Sequence, residues 1–263
     1  MAGGPPLPSV DGMPVAIITG ASRGLGLALT HGLAAAGWDL VIDGRDAAAL
    51  ANAHQALVAA SRDRDAATSA QGDAAAGAPR DLTALPGDVT DPAHRLALVA
   101  AADRLGGADL LVNNAGILGP SPQPALADYP LDALREVYEV NVVAPLALTQ
   151  LALPGLRARG GALVNVTSDA AVEAYEGWGG YGSAKAAVEQ ASRILAAEEP
   201  AVRVWWVDPG DLRTRMHQEA FPGEDISDRP EPHTVVPAFR RLVESRPPSG
   251  RIRLADVLAG TPA

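Results

Sequence analysis

Tyr181 and Lys185 stand four residues apart in "EGWGGYGSAKAAVEQ" (176–190), and this spacing places both side chains on one face of a helix. A phenol can give or take a proton at an oxygen atom, but its ordinary pKa of ~10 makes it a weak acid at neutral pH. A nearby ammonium group favours the phenolate and lowers that pKa. The pair therefore predicts an acid/base tyrosine, Tyr181, whose pKa is lowered by Lys185.

A glycine-rich turn, "TGASRGLG" (19–26), follows the first apolar run and opens an alanine-rich helical segment. Glycines at 20, 24 and 26 allow a tight turn, close approach of a pyrophosphate and close packing of helix on strand. The helix N-terminus then offers unpaired N–H groups and partial positive charge to phosphates. The strand, turn and helix together predict a dinucleotide-binding site.

Asn141, Ser168, Tyr181 and Lys185 follow one another at intervals of 27, 13 and 4 residues, behind "NNAG" (113–116). With a GxxxGxG turn, this set resembles the short-chain dehydrogenase/reductase family and its Asn-Ser-Tyr-Lys tetrad. The resemblance implies that Ser168 holds the substrate oxygen and that Lys185 also binds the nicotinamide ribose. Asn141 would position a water that relays protons towards Lys185. No metal is required by this chemistry.

The resemblance also assigns residues to the cofactor, from the glycine turn, the ends of four later strands and the tetrad. In "GDVT" (87–90) and "DPGDLRT" (208–214) the family holds the adenine and the nicotinamide, respectively. The cofactor-binding residues implied are Gly20, Ser22, Arg23, Gly24, Leu25, Gly26, Arg45, Asp88, Val89, Asn114, Ala115, Gly116, Tyr181, Lys185, Pro209, Gly210, Leu212 and Thr214.

The choice between NADP(H) and NAD(H) depends on "VIDGRD" (41–46), at the end of the second strand. An acidic residue there binds the ribose hydroxyls of NAD, whereas a basic residue accepts the 2′-phosphate of NADP. Gly44 falls where the acid would stand and Arg45 follows it, which favours NADP(H), with Arg23 as a possible second cation. If the strand ends one residue earlier, Asp43 becomes the ribose acid and NAD(H) is the cofactor.

Short apolar runs alternate with longer helical segments along the chain. Strands are predicted at 15–19, 39–43, 82–86, 109–114, 162–168, 202–208 and 251–257, and helices at 24–36, 46–60, 92–105, 131–158, 181–198 and 235–245. The central strands are continuously apolar, which is typical of strands buried on both faces. The pattern predicts a single-domain, Rossmann-like α/β fold, with a doubly wound parallel sheet of about seven strands and helices on both faces.

The remaining segments set the limits of this domain. Residues 1–13 are rich in proline and glycine and predict a flexible lead, followed by one domain over 14–263; the resemblance covers 14 to 258. The polar stretch 61–81 predicts a mobile surface insertion, and 215–234 corresponds to the substrate lid of the family. No signal peptide and no apolar run of roughly 18 residues is recognised, so we expect a cytoplasmic protein without a membrane span.

Composition narrows the classes of partner. The net charge of -10 argues against a nucleic-acid binder, and the absence of cysteine excludes disulfides and thiol nucleophiles. The resemblance implies a homodimer or homotetramer formed through 131–158 and 181–198, with the alanine face of the second helix (Ala184, Ala187, Ala191) against a neighbour.

The expected function is an NADP(H)-dependent reduction of a ketone, or oxidation of an alcohol, on a small organic molecule. An apolar pocket for that substrate is predicted from Tyr175, Trp178 and Met216, with Ile117 and Leu118. Asp169, Glu173 and Glu176 could meet a basic or hydroxylated substrate, although the preferred interpretation is that they are surface charges. His217 and His233 are interpreted as lid or surface residues without metal-ligand spacing. The alternatives are an NAD-dependent dehydrogenase of the same fold and a non-catalytic module that senses a dinucleotide.

Overall fold

Seven short apolar runs form one parallel sheet in the computed structural model, which describes residues 13–69 and 81–259. The strands are β1 (Val15–Ile18), β2 (Asp39–Gly44), β3 (Leu82–Pro86), β4 (Leu110–Asn113), β5 (Ala162–Val166), β6 (Arg203–Asp208) and β7 (Gly250–Arg253). Their order across the sheet is β3-β2-β1-β4-β5-β6-β7. The order reverses direction between β1 and β4, and ligands of such sheets bind in the crevice beyond the carboxyl ends of the strands there.

Helices cover both faces of this sheet. They are α1 (Gly24–Ala35), α2 (Ala47–Ser69), α3 (Pro92–Arg104), α4 (Leu131–Tyr138), α5 (Ala144–Arg159), α6 (Gly179–Glu198), α7 (Arg215–Ala220), α8 (Val236–Ser245) and α9 (Leu254–Ala259). Alternating strand residues point to the two faces, so Ile18 packs in the cluster with Leu29 and Phe239, and Ile17 in the cluster with Leu98 and Leu148. The predicted doubly wound α/β fold is confirmed.

The long helix predicted at 131–158 is interrupted in its backbone pattern. A π-helical turn, Glu139–Val143, lies between α4 and α5, and it contains Asn141. Pro145, at the start of α5, has no N–H group to donate to the preceding turn, which removes one helical hydrogen bond there. π-Turns inside helices are frequent at functional sites.

The largest differences between the predicted and the observed elements concern α2, β7 and the lid. Helix α2 continues to Ser69 instead of ending at 60, because alanine and arginine are good helix formers and propagation of an existing helix needs no large apolar residue. The predicted insertion at 61–81 therefore begins as helix. The strand predicted at 251–257 ends at Arg253, where the helix-forming run "LADVLA" begins α9, and the lid contains a short helix, α7.

Parts of three predicted segments lie outside the described residues. These are most of the N-terminal lead, the remainder of the insertion over 70–80, and the end of the domain over 260–263. Within the described part, Ala184 is fully buried inside the chain, so it is not available to a neighbouring subunit as the sequence suggested.

One continuous helical stretch, Leu131–Arg159, is long and apolar enough to cross a membrane by length and composition alone. Residues Leu148, Ala152 and Leu156 of this stretch belong to the buried cluster on one face of the sheet. Packing against a sheet also requires an apolar helix face, so part of the apolar composition of this stretch is accounted for by the core.

Candidate active site

A cavity of about 1060 Å³ opens at the carboxyl ends of the central strands, where the strand order reverses. Ser168, Tyr181 and Lys185 line it together with every predicted cofactor residue except Gly26. Residues as far apart in the chain as Gly20 and Thr214 therefore meet in one space. Asn141 and Gly26 do not line the cavity but support residues that do.

The glycine turn is held against the loop after β4. Gly20 has φ +67°, and a Cβ atom on it would lie 2.9 Å from Ala115 Cα. A Cβ atom on Gly26 would lie 2.3 Å from the carbonyl oxygen of Gly20 and 2.5 Å from Asn114 Nδ2. Only residues without side chains fit this approach, and the exposed helix N-terminus beyond it is the kind of cradle that a pyrophosphate needs.

Thr19 ties these two loops together and was not identified from the sequence. Its hydroxyl oxygen accepts hydrogen bonds from the backbone N–H groups of Asn114 and Ala115, both at 3.0 Å. The hydroxyl in turn donates a hydrogen bond to Val112 O at 3.3 Å. The Asn114 side chain donates to the carbonyl oxygens of Thr19 and Gly20. Asn114 therefore shapes the cradle through protein contacts, and its position next to the glycine turn could have suggested this.

Asp43 is buried at the floor of the cavity and is already engaged by the protein. Its Oδ1 atom accepts a hydrogen bond from the Gly20 N–H at 2.6 Å, and its Oδ2 atom lies 3.1 Å from His94 Nε2. Strand β2 ends at Gly44, one residue beyond Asp43. A Cβ atom on Gly44 would lie 2.9 Å from the Ser22 side chain, so an acid at that position would have to displace the glycine turn.

Two arginines stand at the mouth of this end of the cavity. Arg45 is exposed, and Arg23 is half-exposed and pairs with Asp46 at 3.2 Å. Burial raises the pKa of Asp88, but hydrogen bonds from Thr90 and the positive charge of Arg45 outweigh it, so the pKa lies below the usual value. Cations and a carboxylate thus surround the place where an adenosine ribose would lie.

Ser168 sits just after β5 and caps a short 3-10 turn. Its hydroxyl donates to Asp169 Oδ1 at 2.8 Å and accepts from the Ala170 N–H at 3.2 Å. Asp169 also accepts from the Tyr175 hydroxyl at 2.9 Å, and it lines the cavity. Asp169 is therefore not the surface charge that the sequence suggested, because its carboxylate is held by polar groups beside Ser168.

Tyr181 and Lys185 lie on one face of α6, as their spacing predicted, and both are buried. The Lys185 ammonium donates to Val166 O at 2.8 Å and lies 5.4 Å from the centre of the Tyr181 ring. Burial lowers the pKa of Lys185 to about 8. The lysine therefore keeps its charge at neutral pH and begins to lose it in mildly alkaline solution.

The pKa of Tyr181 is raised and not lowered by the protein groups around it. Burial is the largest cause, followed by the negative charges of Asp169 and Asp208. The expected lowering by Lys185 is thus outweighed, because a phenolate in this buried site loses hydration and faces two carboxylates. The protein by itself keeps Tyr181 in the protonated form, ready to donate.

Asn141 lies in the π-turn, and its side-chain amide makes two hydrogen bonds with the backbone of Ile117, one as acceptor and one as donor. Its Oδ1 atom accepts from the Ile117 N–H at 2.9 Å, and its Nδ2 atom donates to Ile117 O at 2.8 Å. A Cβ atom on Gly116 would lie 2.9 Å from this Oδ1 and 3.8 Å from Lys185 Nζ. The side chain fixes the loop after β4 beside Lys185, and the water-relay role stays a prediction.

The segment after β6 forms the opposite wall. The Gly210 N–H donates to Asp208 Oδ1 at 2.9 Å, and Leu212 is buried. Thr214 caps α7, its hydroxyl oxygen accepting from the His217 N–H at 3.2 Å. That bond leaves the Thr214 proton free to be donated into the cavity.

An apolar wall faces the tetrad from the lid side. Trp178 makes an edge contact with Tyr181, with ring centres 5.9 Å apart, and packs with Leu118 and Met216 in one cluster. His217 also lines the cavity and stacks on Phe221 at 4.9 Å. Tyr175 is exposed and contributes through Asp169 and Trp178 instead of lining the cavity itself. Among the described residues, no group of three or more His, Asp or Glu side chains could hold a metal ion.

Comparisons with known proteins find relatives of one kind. The family model for short chain dehydrogenases matches residues 14–225. A 1-deoxy-11-beta-hydroxypentalenate dehydrogenase from Streptomyces arenae is 36% identical over 211 residues, which cover 76% of this chain and 68% of the relative. Sepiapterin reductase from Mus musculus is 33% identical over 219 residues, which cover 80% and 78%. The solved structure of an alcohol dehydrogenase from the archaeon Thermococcus sibiricus, complexed with 5-hydroxy-NADP, matches with a TM-score of 0.75 and 26% identity over 92% and 95%.

Proposed function

The chain belongs to the short-chain dehydrogenase family of oxidoreductases, and from that premise we propose that it transfers a hydride between NADP(H) and a carbonyl or secondary alcohol. The observation that carries this proposal is the meeting of Ser168, Tyr181 and Lys185 in the cavity that the glycine turn also lines. A module that only senses a dinucleotide has no need of a buried tyrosine beside a lysine in the same cavity. The relatives described above are named as dehydrogenases and a reductase, in agreement with this reaction class.

The residues present fit a nicotinamide dinucleotide, which when bound supplies or accepts the hydride. The chain's own groups act at the substrate oxygen. Tyr181 donates its hydroxyl proton to that oxygen as the carbonyl is reduced, and takes a proton from the alcohol in the reverse direction. Lys185 opposes the negative charge left on the phenolate, and Ser168 holds the oxygen by a hydrogen bond. The proton given up by Tyr181 is replaced from the side of Lys185.

Several contacts support NADP(H) over NAD(H). Asp43, the residue that would bind a ribose in an NAD enzyme, has its two oxygens occupied by Gly20 and His94. Arg45 stands next in the chain and is exposed at the cavity, where a guanidinium can bind a 2′-phosphate with two charge-assisted bonds. Arg23 lines the same end of the cavity as Arg45, and there it pairs with Asp46.

The apolar wall supports a substrate with a hydrophobic body. Leu118, Trp178, Met216 and Ala220 line the cavity as one apolar patch, and polar lid residues such as Arg215, His217 and Glu219 border it. Such walls contribute binding energy in proportion to the apolar area that they cover. We therefore expect bulky apolar ketones to be reduced more efficiently than small hydrophilic ones.

The reaction is tested by NADPH consumption with a panel of carbonyl compounds. The Tyr181→Phe variant is expected to lose at least about 100-fold in kcat, because a general acid contributes 10²–10⁴-fold, while NADPH binds nearly as before. Tyr138→Phe is the matched control, since it removes the hydroxyl of a partly exposed tyrosine on α4 that does not line the cavity, and it should keep most of the turnover. Wild-type turnover by Tyr181→Phe would contradict the proposed mechanism and favour a binding module.

Cofactor choice is tested by fluorescence titration of Arg45→Ala with NADPH and NADH. We expect the Kd for NADPH to rise about 10-fold or more, because a charge-assisted contact to the 2′-phosphate is lost, and the Kd for NADH to change little. Arg104→Ala, an exposed arginine at the end of α3, serves as the control. An equal effect on both cofactors, or none on NADPH, would remove the support for NADP(H).

A further inference from the structure

Arg251, on β7, bonds to three elements of the site through one guanidinium group. Its Nε atom donates to Glu189 Oε1 at 2.9 Å, and its Nη2 atom donates to Asp208 Oδ2 at 3.0 Å and to Ser168 O at 3.2 Å. Arg251 belongs to none of the motifs, and 62 residues separate it from Glu189. Its partners belong to the tyrosine helix, the end of β6 and the serine turn.

Glu189 connects Arg251 to α6, the helix that holds Tyr181 and Lys185. It lies one helical turn beyond Lys185 and two beyond Tyr181, on the same face of α6, and it is almost fully buried. Besides Arg251, its carboxylate accepts from the Thr167 hydroxyl at 3.0 Å and from Arg193 at 3.2 Å. Thr167 precedes Ser168, so the helix and the serine turn share one carboxylate.

Asp208 connects Arg251 to the segment after β6, which forms the opposite wall of the cavity. One of its oxygens accepts from Arg251 and the other from the Gly210 N–H, so the guanidinium anchors the turn at Pro209 and Gly210. Asp208 is also one of the two carboxylates that raise the pKa of Tyr181. Removal of a partner from a buried ion pair leaves an uncompensated charge, which is strongly unfavourable.

From these contacts we propose that Arg251 is a positioning residue, which fixes Ser168 and the Asp208–Gly210 turn relative to Tyr181 and Lys185. The inference rests on the proposed function, because it assigns Arg251 a role in the geometry of that reaction. The guanidinium suits this role because it is planar and presents several donors in fixed directions, so it can hold three acceptors at once. A lysine at this place would offer a single flexible point charge.

Arg159 provides a matched control at the amino ends of the central strands, away from the cavity at their carboxyl ends. It donates two hydrogen bonds to the buried carboxylate of Asp109, at 2.7 and 3.0 Å, and a third to the backbone carbonyl of Gly106. Like Arg251, it is mostly shielded from solvent. Its removal should lower the free energy of unfolding about as much as the removal of Arg251. It should leave the cavity unchanged, since Arg159 contacts no residue that lines the cavity.

The test compares Arg251→Met, Arg251→Lys and Arg159→Met with the wild type. We expect both methionine variants to melt at lower temperature, but only Arg251→Met to lose about 10- to 100-fold in kcat, with a change of less than about threefold in carbonyl KM. The midpoint of the pH profile for alcohol oxidation should also rise, because Asp208 loses its cation and opposes the Tyr181 phenolate more strongly. Arg251→Lys should recover part of the lost kcat.

Two outcomes would overturn the proposal: an unchanged kcat and pH midpoint in Arg251→Met, or an equal loss of kcat in Arg159→Met. If Arg251→Met does not fold, Glu189→Gln keeps the shape of the partner and should still lower kcat about fivefold or more; unchanged turnover in it would also overturn the proposal. Amide hydrogen exchange over 208–214 tests the positioning role of Arg251 independently of the proposed reaction. Faster exchange of this segment in Arg251→Met, and not in Arg159→Met, is expected even if the wild type reduces no carbonyl tested.

Discussion

Ser168 and Asp169 show how a single neighbour can set the hydrogen-bonding state of a hydroxyl group in the cavity. The Ser168 proton is donated to the Asp169 carboxylate, so the serine oxygen can accept from an alcohol, or rotate to donate to a carbonyl. The same carboxylate raises the pKa of Tyr181 and favours the phenol over the phenolate. Asp169 therefore biases Tyr181 towards giving a proton, which is the step needed for reduction.

The Asp169→Asn variant tests this bias at the level of one charge. With the negative charge removed and the shape kept, the pKa of Tyr181 should fall, and the pH midpoint for alcohol oxidation should move down by roughly one unit. The sign follows because a carboxylate disfavours the phenolate, so its loss lets Tyr181 deprotonate at lower pH. The midpoint is read from kcat/KM between pH 6 and 11.

Glu173→Gln is the control for that shift, since it removes the same charge from an exposed side chain four residues away. It should leave the midpoint unchanged. A midpoint that stays in place in Asp169→Asn, or moves equally in both variants, would show that Asp169 does not tune Tyr181.

The sequence predicted that Tyr181 and Lys185 share one face, because residues four apart on a helix must do so, and the structure places Ser168 in the same cavity. Their electrostatic surroundings could not be predicted. The pKa of Tyr181 depends on Asp208 and on burial, and both follow from how separate strands meet at the sheet edge. Thr19 and Arg251 were missed for the same reason, since their contacts join distant parts of the chain.

At the level of elements, α3 supports the adenosine end of the cavity from behind. His94, in its first turn, bonds to Asp43, and Arg95 donates to the carbonyl oxygen of Val89 at 2.6 Å. The helix was predicted at 92–105 and is observed at Pro92–Arg104, where Asp91 as N-cap and Pro92 as first residue form a common helix start. Helix α2 was predicted too short, since alanine-rich helices carry little periodicity to mark where they end.

The start of α3 depends on the cap at Asp91, whose Oδ1 atom accepts from the Ala93 N–H at 2.9 Å. Asp91→Ala leaves that N–H without its partner and should lower the free energy of unfolding by about 1 kcal/mol, measured in urea. Asp91→Asn keeps an acceptor oxygen, so its free energy of unfolding should lie within about 0.5 kcal/mol of the wild-type value. Equal losses in the two variants would mean that the cap contributes little.

At the level of the whole molecule, several large apolar side chains remain exposed on helices outside the core. Val143 and Leu146 stand three residues apart on one face at the start of α5, and Ile194 is exposed on α6. These two helices are the ones that the family resemblance assigned to subunit contacts. Ala184 is buried within the chain, whereas Ala187 and Ala191 are partly exposed, so these two alanines and the larger side chains are the parts of the two helices that remain open to a neighbour.

A second copy of the chain that covers α5 should therefore depend on Leu146, and Leu146→Glu should shift the protein to a smaller assembly. A carboxylate in a buried interface would lose hydration without a partner, which costs several kcal/mol and is enough to reduce association by orders of magnitude. Light scattering coupled to gel filtration gives the mass directly. Leu96→Glu, an equally exposed leucine on α3, should leave the mass unchanged, and a monomeric wild type or an unaffected Leu146→Glu would exclude α5 as the interface.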